Sequence, residues 1–284
     1  MAKFDGVLFV SDMDGTLLDS GHEISRENAD AIRYFTGNGG TFTVATGRMV
    51  RTIAQYVTQI NANAPIISIN GAAIYDLARG KLLHSTPLDT DIVKIVEKLA
   101  TEFPELGIEA ITMEKLYICR ESHVTRRHCE IVKMPHELTD IREVIGECMK
   151  LNLMHDPGYL DRVEQFVGAR YPDEFYMVHS DPQYLEVLHK GVNKGLGLRI
   201  IADIKHIAKE NTCAIGDNYN DIELLKNAAL SFAPANAEQQ LKDIADVVVS
   251  TNDDNAVCQA ITYIDKQGIF RQQTPQHPQG ALMP

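Results

Sequence analysis

Short apolar runs alternate with amphipathic helical segments, and this alternation constrains the fold of the chain more than any other feature. Largely apolar runs fall at 7–11, 41–45 and 66–69, and the residues between them place apolar side chains at helical spacing. A run that is apolar almost throughout is typical of a strand buried on both faces. Strands that alternate with helices predict parallel βαβ units, and therefore an α/β fold with a doubly wound, Rossmann-like parallel sheet.

The same alternation returns near the carboxyl end of the chain. The predicted elements there are, in order, a helix at 194–204, a strand at 212–215, a helix at 221–227, a strand at 229–232, a helix at 237–244, a strand at 247–250 and a helix at 256–264. Strands and helices thus alternate in two stretches of the chain, which a segment of different pattern separates. This arrangement predicts a single α/β core that is interrupted by an inserted module.

The intervening stretch has a mixed pattern. It follows a predicted hairpin at 72–75 and 81–84, and contains predicted helices at 91–101, 140–150 and 160–167 and predicted strands at 108–111, 116–119, 175–179 and 184–188. We therefore expect a first part of the core at 1–84, an inserted α+β module at 85–189 and a second part of the core at 190–271. The Gln- and Pro-rich residues 272–284 lack apolar periodicity and are predicted to be disordered.

Charge and cysteine content narrow the classes of function. The 39 acidic and 27 basic side chains leave a formal net charge of -12, which argues against binding to nucleic acid or to an anionic membrane. The five cysteines are odd in number and form no Cys-x-x-Cys pair, which argues against a disulfide framework or a structural zinc site. With no signal peptide or spanning segment evident, we expect a cytoplasmic protein.

Two carboxylates follow the first predicted strand. Asp12 and Asp14 lie directly after the apolar run, and Gly15 and Thr16 follow them. Ligands of open α/β sheets bind outside the carboxyl ends of the strands, so both side chains are expected at the ligand crevice. A turn or a helix cap is the better explanation of a single Asp here. Two carboxylates crowd negative charge that a cation or a proton must offset, and this favours a functional site.

A second polar segment, Gly216-Asp217-Asn218-Tyr219-Asn220-Asp221, follows the predicted strand at 212–215. A helix cap needs only one of these polar side chains, and the segment supplies several. Across a parallel sheet Asp217 can face Asp12. Carboxylate oxygens without nearby His or Cys ligands are the donors that Mg²⁺ prefers, so the sequence predicts a magnesium site.

Two shorter sequence features become informative only together with the two acidic segments. Thr46-Gly47-Arg48 ends the predicted strand at 41–45, where a hydroxyl group and backbone N–H groups at a helix start suit a phosphate. Lys194 lies in the first turn of a predicted helix, where its charge opposes the helix dipole. A solvated lysine is the simpler explanation of Lys194 by itself, but its position also fits a role at the site.

Taken in order, these four segments resemble the four motifs of the haloacid dehalogenase superfamily, over about residues 4–265. The large insertion between the second and third motifs is similar to the α/β cap of the Cof-type sugar-phosphate phosphatases. The resemblance implies an enzyme with Mg²⁺ as its cofactor. It also implies that the enzyme hydrolyses small phosphomonoesters, sugar phosphates above all, through an aspartyl-phosphate intermediate.

The resemblance further implies roles for the acidic residues and the lysine. Asp12 would be the nucleophile, and Asp14 would serve first as general acid and then as general base. Mg²⁺ would be held by Asp12, by the backbone carbonyl of Asp14 and by Asp217. Lys194 and the metal would neutralise charge, so that a carboxylate can approach a phosphate dianion.

Other residues receive binding roles by the same resemblance. Thr46, Gly47 and Asn220 would hold the phosphoryl oxygens, and Asp221 would orient Lys194 or a metal-bound water. Arg48 and His179 are candidate contacts to the leaving group. The only dense basic cluster of the inserted module consists of Arg120, Arg126, Arg127 and His128. A solvated helix or loop face explains this cluster better than a binding role does.

Two further functions remain compatible with the sequence. A phosphomutase would share the nucleophile, the metal and the cap, but would return the phosphoryl group to a sugar. A phosphometabolite-binding protein without catalytic activity would keep only the recognition groups. The expected partner is in each case a small phosphorylated metabolite, and either a monomer or a dimer is compatible with the sequence.

Overall fold

The computed structural model describes residues 2–132, 136–172 and 174–270. The predicted disordered tail, 272–284, lies outside these residues. The described strands are β1 (Leu8–Ser11), β2 (Thr41–Val44), β3 (Ile66–Ser68), β4 (Ala73–Asp76), β5 (Lys81–Ser85), β6 (Gly107–Ile111), β7 (Leu116–Arg120), β8 (His136–Leu138), β9 (Lys150–Met154), β10 (Phe175–Asp181), β11 (Tyr184–His189), β12 (Thr212–Ile215), β13 (Leu230–Pro234) and β14 (Val247–Val249).

The described helices are α1 (Arg26–Gly37), α2 (Val50–Gln59), α3 (Ile92–Glu102), α4 (His123–Val132), α5 (Ile141–Val144), α6 (Pro157–Arg170), α7 (Lys194–Lys205), α8 (Ile222–Asn227), α9 (Gln239–Ile244) and α10 (Ala256–Gln267). Helix α1 begins after Ser25, whose hydroxyl accepts a hydrogen bond of 3.1 Å from the backbone N–H of Asn28. Within the described ranges, no helix is long and apolar enough to cross a membrane.

The central sheet is parallel and has the strand order β14-β13-β12-β1-β2. All four residues of β1 are buried, and its neighbours pair in register, Leu8 with Thr41 on one side and with Thr212 on the other. One apolar cluster packs Phe9 against α1 and α10, and a second packs Leu8 and Val10 against α7. Helices thus cover both faces of the sheet, which confirms the predicted doubly wound α/β fold.

A second, six-stranded sheet has the order β10-β11-β9-β6-β7-β8 and is antiparallel except for the pair β7–β8. We call this sheet, together with α3, α4, α5 and α6, the cap. One face packs on α3 and α6, and the other places Ile111, Val178 and Leu188 against Met49 and Ile69 of the α/β core. The strands of the cap lie within the predicted insertion, whose limits at 85 and 189 stay a prediction.

The predicted helix at 140–150 is wrong in its second half. Helix α5 ends at Val144, a short 3-10 turn follows, and Lys150 already begins strand β9. That strand is buried along its whole length and pairs with both β6 and β11. A pattern alternating between Leu and polar residues is typical of a strand, but here both faces are covered, so its polar residues are buried too.

Helix α4 and strand β8 were not predicted. The start of α4 has a local signal, because the Ser122 hydroxyl accepts a hydrogen bond of 3.2 Å from the backbone N–H of Thr125. Three members of the basic cluster lie on this helix, and the fourth, Arg120, lies on β7. The Arg120 guanidinium, on β7, donates to the carbonyl oxygen of Ala100, and the His128 ring lies 3.0 Å from Glu109, so both groups have partners within the cap.

Candidate active site

The polar segments predicted to meet do so at the carboxyl ends of three adjacent strands. Asp12 directly follows β1, Thr46 follows β2 and Asp217 follows β12. Because β2, β1 and β12 are neighbours in one parallel sheet, all three strands end at the same edge. The backbone N–H of Asp12 donates to the carbonyl oxygen of Ile215 at 2.9 Å, which extends the β1–β12 pairing beyond Ser11 to Asp12.

Lys194 links two of the predicted carboxylates. Its Nζ donates to Asp12 Oδ1 at 2.5 Å and to Asp221 Oδ1 at 2.6 Å, and the residue is 1% exposed. Asn193 starts α7 by accepting a hydrogen bond from the backbone N–H of Leu196, and this places the lysine at the first helical position. Burial by itself lowers the pKa of Lys194, but Asp12 and Asp221 outweigh burial and raise it, so the ammonium is charged at neutral pH.

Three carboxylates converge at this point. Oxygen atoms of Asp12, Asp217 and Asp221 all lie within 4.8 Å of one another. Burial first, and then the neighbouring Asp221, raise the pKa of Asp12 well above its usual value, although Lys194 acts in the opposite direction. The same two causes raise the pKa of Asp217 to about 7, opposed by the Thr16 hydroxyl, which donates to Asp217 Oδ1 at 2.6 Å.

The donor set fits a hard divalent cation. Three carboxylates face one ammonium group, so the cluster holds more negative than positive charge when all of its members are ionised. The raised pKa values of Asp12 and Asp217 express this imbalance. Oxygen donors at this spacing suit Mg²⁺, whereas zinc and copper sites favour nitrogen and sulfur ligands.

Gly15 is required by the geometry of this cluster. Its φ is +75°, a conformation that residues with a Cβ rarely adopt, and a Cβ built there would lie 2.4 Å from Asp217 Oδ2. The glycine therefore allows the backbone that carries Asp12 and Asp14 to approach the Asp217 carboxylate. The Asn236 side chain donates to the Gly15 carbonyl at 2.8 Å and holds this turn from the other side.

Asp14 lies apart from the three-carboxylate cluster. Its carboxylate accepts a hydrogen bond of 2.8 Å from Arg48 Nε and a second bond from Arg48 Nη2, and its side chain is 46% exposed. The Asp14 carboxylate is thus paired with Arg48 but open to solvent, whereas Asp12 is buried. Arg48, a candidate contact to the leaving group, is paired with Asp14 in this structure and lies over the ring of Tyr56.

The predicted phosphate-binding residues come together around Asn70, which the sequence analysis did not single out. Asn220 Nδ2 donates to Asn70 Oδ1 at 3.3 Å, and a Cβ on Gly47 would lie 3.1 Å from the same oxygen. Thr46 is buried, and its hydroxyl accepts a hydrogen bond of 3.2 Å from the backbone N–H of Arg48. Thr46, Gly47 and Asn220 thus line one side of the site.

Two cap residues that the sequence analysis also missed reach this side. Lys150 Nζ donates to the Gly47 carbonyl oxygen at 3.1 Å and to Glu186 Oε1 at 2.6 Å, while Glu186 Oε2 accepts a hydrogen bond from Asn70 Nδ2. The available signal was a charged residue in each of two largely apolar strands. That signal does not say what the charges face.

His179 has a different setting from the one expected. Its Nε2 lies 3.3 Å from Glu164 Oε2, both residues being in the cap. The histidine lines a cavity of about 610 Å³ between cap and core, together with Asn218 and Tyr219. This cavity is open to solvent on a side of the interface that none of the three clustered carboxylates lines. A contact of His179 with the leaving group stays a prediction.

Comparisons with known proteins agree with this geometry. A family model described as haloacid dehalogenase-like hydrolase matches residues 9–261. The Bacillus subtilis protein named 5-amino-6-(5-phospho-D-ribitylamino)uracil phosphatase YcsE is 29% identical over 260 residues, which cover 90% of this chain and 94% of the relative. Phosphatase YwpJ of the same organism is 26% identical over 286 residues, which cover 90% of this chain and 99% of the relative.

Solved structures show the same fold. The crystal structure of a haloacid dehalogenase-like hydrolase from Bacteroides thetaiotaomicron has a TM-score of 0.79 and 26% sequence identity, and the match covers 91% of this chain and 99% of that one. The family model spans both parts of the core and the cap. The resemblance noted in the sequence is therefore confirmed: the chain is an enzyme that belongs to the haloacid dehalogenase-like hydrolase family.

Proposed function

We propose that this enzyme is a Mg²⁺-dependent phosphatase that hydrolyses small phosphomonoesters through a phosphorylated Asp12. The observation that carries the proposal is the buried Asp12 carboxylate, which Lys194 holds at 2.5 Å beside the carboxylates of Asp217 and Asp221. An anion can attack a phosphate dianion only where positive charge is concentrated and water is excluded; Lys194 and a bound Mg²⁺ would supply the charge, and burial would exclude the water.

The proposed first step uses Asp12 and Asp14. An oxygen of Asp12 attacks phosphorus, the bond from phosphorus to the leaving oxygen breaks, and Asp14 donates a proton to that oxygen. Lys194 holds Asp12 through Oδ1, which leaves Oδ2 for the attack. The partly exposed Asp14 then takes a proton from the water that attacks the phosphoryl group, and the bond to Asp12 breaks to release inorganic phosphate.

Asp12 and Asp217, with the backbone carbonyl of Asp14, are the proposed holders of Mg²⁺. When bound, the cation supplies charge neutralisation at the phosphoryl oxygens. Thr46, Gly47 and Asn220 are proposed to bind these oxygens, and Asp221 to orient Lys194. The hydrogen bonds from the backbone N–H groups of Asp217 and Asn218 to Asp221 Oδ2, at 3.1 and 3.2 Å, support a positioning role for Asp221.

The proposed substrates are small phosphorylated metabolites, with sugar and polyol phosphates first among them. The name of the Bacillus subtilis relative describes a phosphatase of a ribityl phosphate, which is a polyol phosphate, and this supports the choice. The acidic net charge of the chain also favours a small substrate over nucleic acid. The cytoplasmic location expected from the sequence stays a prediction.

Release of inorganic phosphate from a panel of phosphomonoesters, including p-nitrophenyl phosphate, sugar phosphates and polyol phosphates, tests the proposal. We expect turnover with Mg²⁺, none in EDTA and none in Asp12→Asn. Isomerised sugar phosphate without free phosphate would instead indicate a mutase. Binding of phosphorylated ligands without turnover by the wild-type protein would indicate a protein that only binds them.

A further inference from the structure

The cap reaches the phosphate side of the site through a buried ion pair. Lys150 on β9 and Glu186 on the adjacent strand β11 lie 2.6 Å apart, and their side chains are 3% and 6% exposed. Both also contact the core: Lys150 donates to the carbonyl oxygen of Gly47, and Glu186 accepts a hydrogen bond from the side chain of Asn70. Each charge of the pair is thus bonded across the boundary between cap and core.

Asn70 links Glu186 to Asn220, a proposed phosphate-binding residue, through two hydrogen bonds. Its Nδ2 donates to Glu186, and its Oδ1 accepts a hydrogen bond of 3.3 Å from Asn220 Nδ2. An amide side chain has two N–H donors, so Asn220 keeps one of them for a phosphoryl oxygen. A continuous path of hydrogen bonds therefore runs from Glu186 in the cap to Asn220 beside the carboxylate cluster.

The backbone at Asn70 is held in a conformation that needs outside support. Ile69, Asn70 and Gly71 have φ values of +50°, +53° and +94°, and this region is unfavourable for a β-branched residue such as Ile69. The backbone N–H of Asn70 donates to the Thr46 carbonyl at 2.9 Å, and a Cβ on Gly71 would lie 2.2 Å from the carbonyl oxygen of Asn193. Strain of this kind persists where the surroundings fix it, and it concentrates at functional sites.

The packing of the interface gives no reason for the two charges. Much of the rest of the contact is apolar, with Ile111 and Leu188 of the cap against Met49 and Ile69 of the core, although Asn218 Nδ2 also donates to the Ser180 carbonyl oxygen at 3.1 Å. A buried ion pair gives no more stability than a well-packed apolar pair of similar volume, because both charges must lose their water. The charges of Lys150 and Glu186 are therefore explained better by a role in orienting neighbouring groups than by a contribution to the stability of the interface.

We propose that Glu186 is a positioning residue: through Asn70 it orients the side chain of Asn220, while its partner Lys150 holds the carbonyl of Gly47. The groups that bind the phosphoryl oxygens then reach their final arrangement only when the cap is docked on the core. This inference rests on the proposed phosphatase function and adds a cap residue that acts on the phosphate, independently of the leaving group.

Two variants and a matched control test the inference. Glu186→Gln removes the charge with little change in shape, and Asn70→Gly removes the connecting side chain while tolerating a positive φ. Glu109→Gln is the control, because Glu109 is also buried on a strand of the same sheet, but its hydrogen-bond partners among the described residues, His128 and Asn152, belong to the cap. Thermal unfolding midpoints of the variants establish that all of them fold.

We expect Glu186→Gln and Asn70→Gly each to raise KM about tenfold, which corresponds to about 1.4 kcal/mol. The same factor is expected with p-nitrophenyl phosphate and with a polyol phosphate such as sorbitol 6-phosphate, and in the inhibition constant of inorganic phosphate. A smaller change is expected in kcat, and no change in Glu109→Gln. Equal factors for all three compounds indicate an effect on the phosphate site, which a general loss of stability does not produce.

A loss confined to the polyol phosphate, with unchanged inhibition by inorganic phosphate, would overturn the inference and assign Glu186 to the leaving group. Unchanged kinetics in both variants would overturn it as well. If the wild-type protein turns over no phosphomonoester, the proposed function fails separately. Calorimetric binding of inorganic phosphate in the presence of Mg²⁺, compared between the wild type and Asn70→Gly, still decides the inference in that case.

Discussion

Replacing Asp217 by asparagine removes one charge from the cluster with almost no change in shape. In the metal-free protein, burial and Asp221 raise the pKa of Asp217 from 3.8 to about 7. At about 1.36 kcal/mol for each pKa unit, this difference corresponds to roughly 4 kcal/mol, which is an upper limit because the side chain is only partly buried. For a carboxyl group whose pKa is raised by folding, this cost is absent below pH 4 and complete above pH 7.

We therefore expect metal-free Asp217→Asn to be more stable than the metal-free wild type at pH 8, by up to about 4 kcal/mol, and equally stable near pH 4. Mg²⁺ should narrow this difference at pH 8. A ligand present at about 100 times its Kd stabilises the folded state by about 2.7 kcal/mol, and the variant lacks a holder of the cation. The wild type should gain less from Mg²⁺ at pH 5, where Asp217 still carries a proton.

Urea unfolding of both proteins, in EDTA and in Mg²⁺, at pH 5 and pH 8, measures these differences. Asp14→Asn is the control, because Asp14 lies outside the cluster and its side chain is 46% exposed. A variant less stable than the wild type in EDTA at pH 8 would refute the reasoning. So would an Mg²⁺-dependent gain of the same size in both proteins.

Three further substitutions separate the proposed roles. Asp14→Asn should lower kcat by about 10²- to 10⁴-fold and change the free energy of unfolding by less than about 0.5 kcal/mol, so a large loss of stability would argue against a purely chemical role. Lys194→Met leaves Asp12 without its buried ammonium partner. We expect kcat to fall by about 10²- to 10³-fold and the free energy of unfolding to fall by about 3–5 kcal/mol. Near-normal activity would contradict this expectation. Gly15→Ala should lower the free energy of unfolding by about 1–2 kcal/mol because of the positive φ. The added Cβ should also displace Asp217 and weaken activation by Mg²⁺. An unchanged Mg²⁺ titration of activity would show that the close approach of Gly15 to Asp217 is unimportant.

Much of the site could be predicted because it follows from strand topology. Parallel strands that are neighbours in one sheet end at the same edge, so polar residues directly after β1, β2 and β12 had to lie close together. The sequence pattern alone therefore indicated that Asp12 and Asp217 could face each other. Lys194 required the resemblance to a family, because a lysine in the first turn of a helix is usually explained by solvation.

The contacts of Lys150 and Asn70, which the sequence did not predict, depend on docking of the cap on the core. Lys150 was assigned to the end of a helix, whereas pairing of Lys150–Met154 with two neighbouring strands makes this segment a strand. Its ion pair with Glu186 joins residues 36 positions apart, and Asn70 bonds to Glu186 and Asn220, each more than 100 positions away from it in the sequence. Local periodicity carries no information about such contacts. The pairing of Asp14 with Arg48 was missed for the same reason, since nothing in either motif specifies the direction of the side chain.

The site of phosphoryl transfer is the most direct test of the central claim, which is that Asp12 attacks phosphorus. Wild-type enzyme turning over p-nitrophenyl phosphate with Mg²⁺ can be quenched in acid and its peptides analysed by mass spectrometry. The account predicts a phosphoryl group on the peptide that contains Asp12, and its absence from the same peptide of Asp12→Asn. A phosphoryl group on any other residue, or an Asp12→Asn variant that still releases phosphate at the wild-type rate, would contradict it.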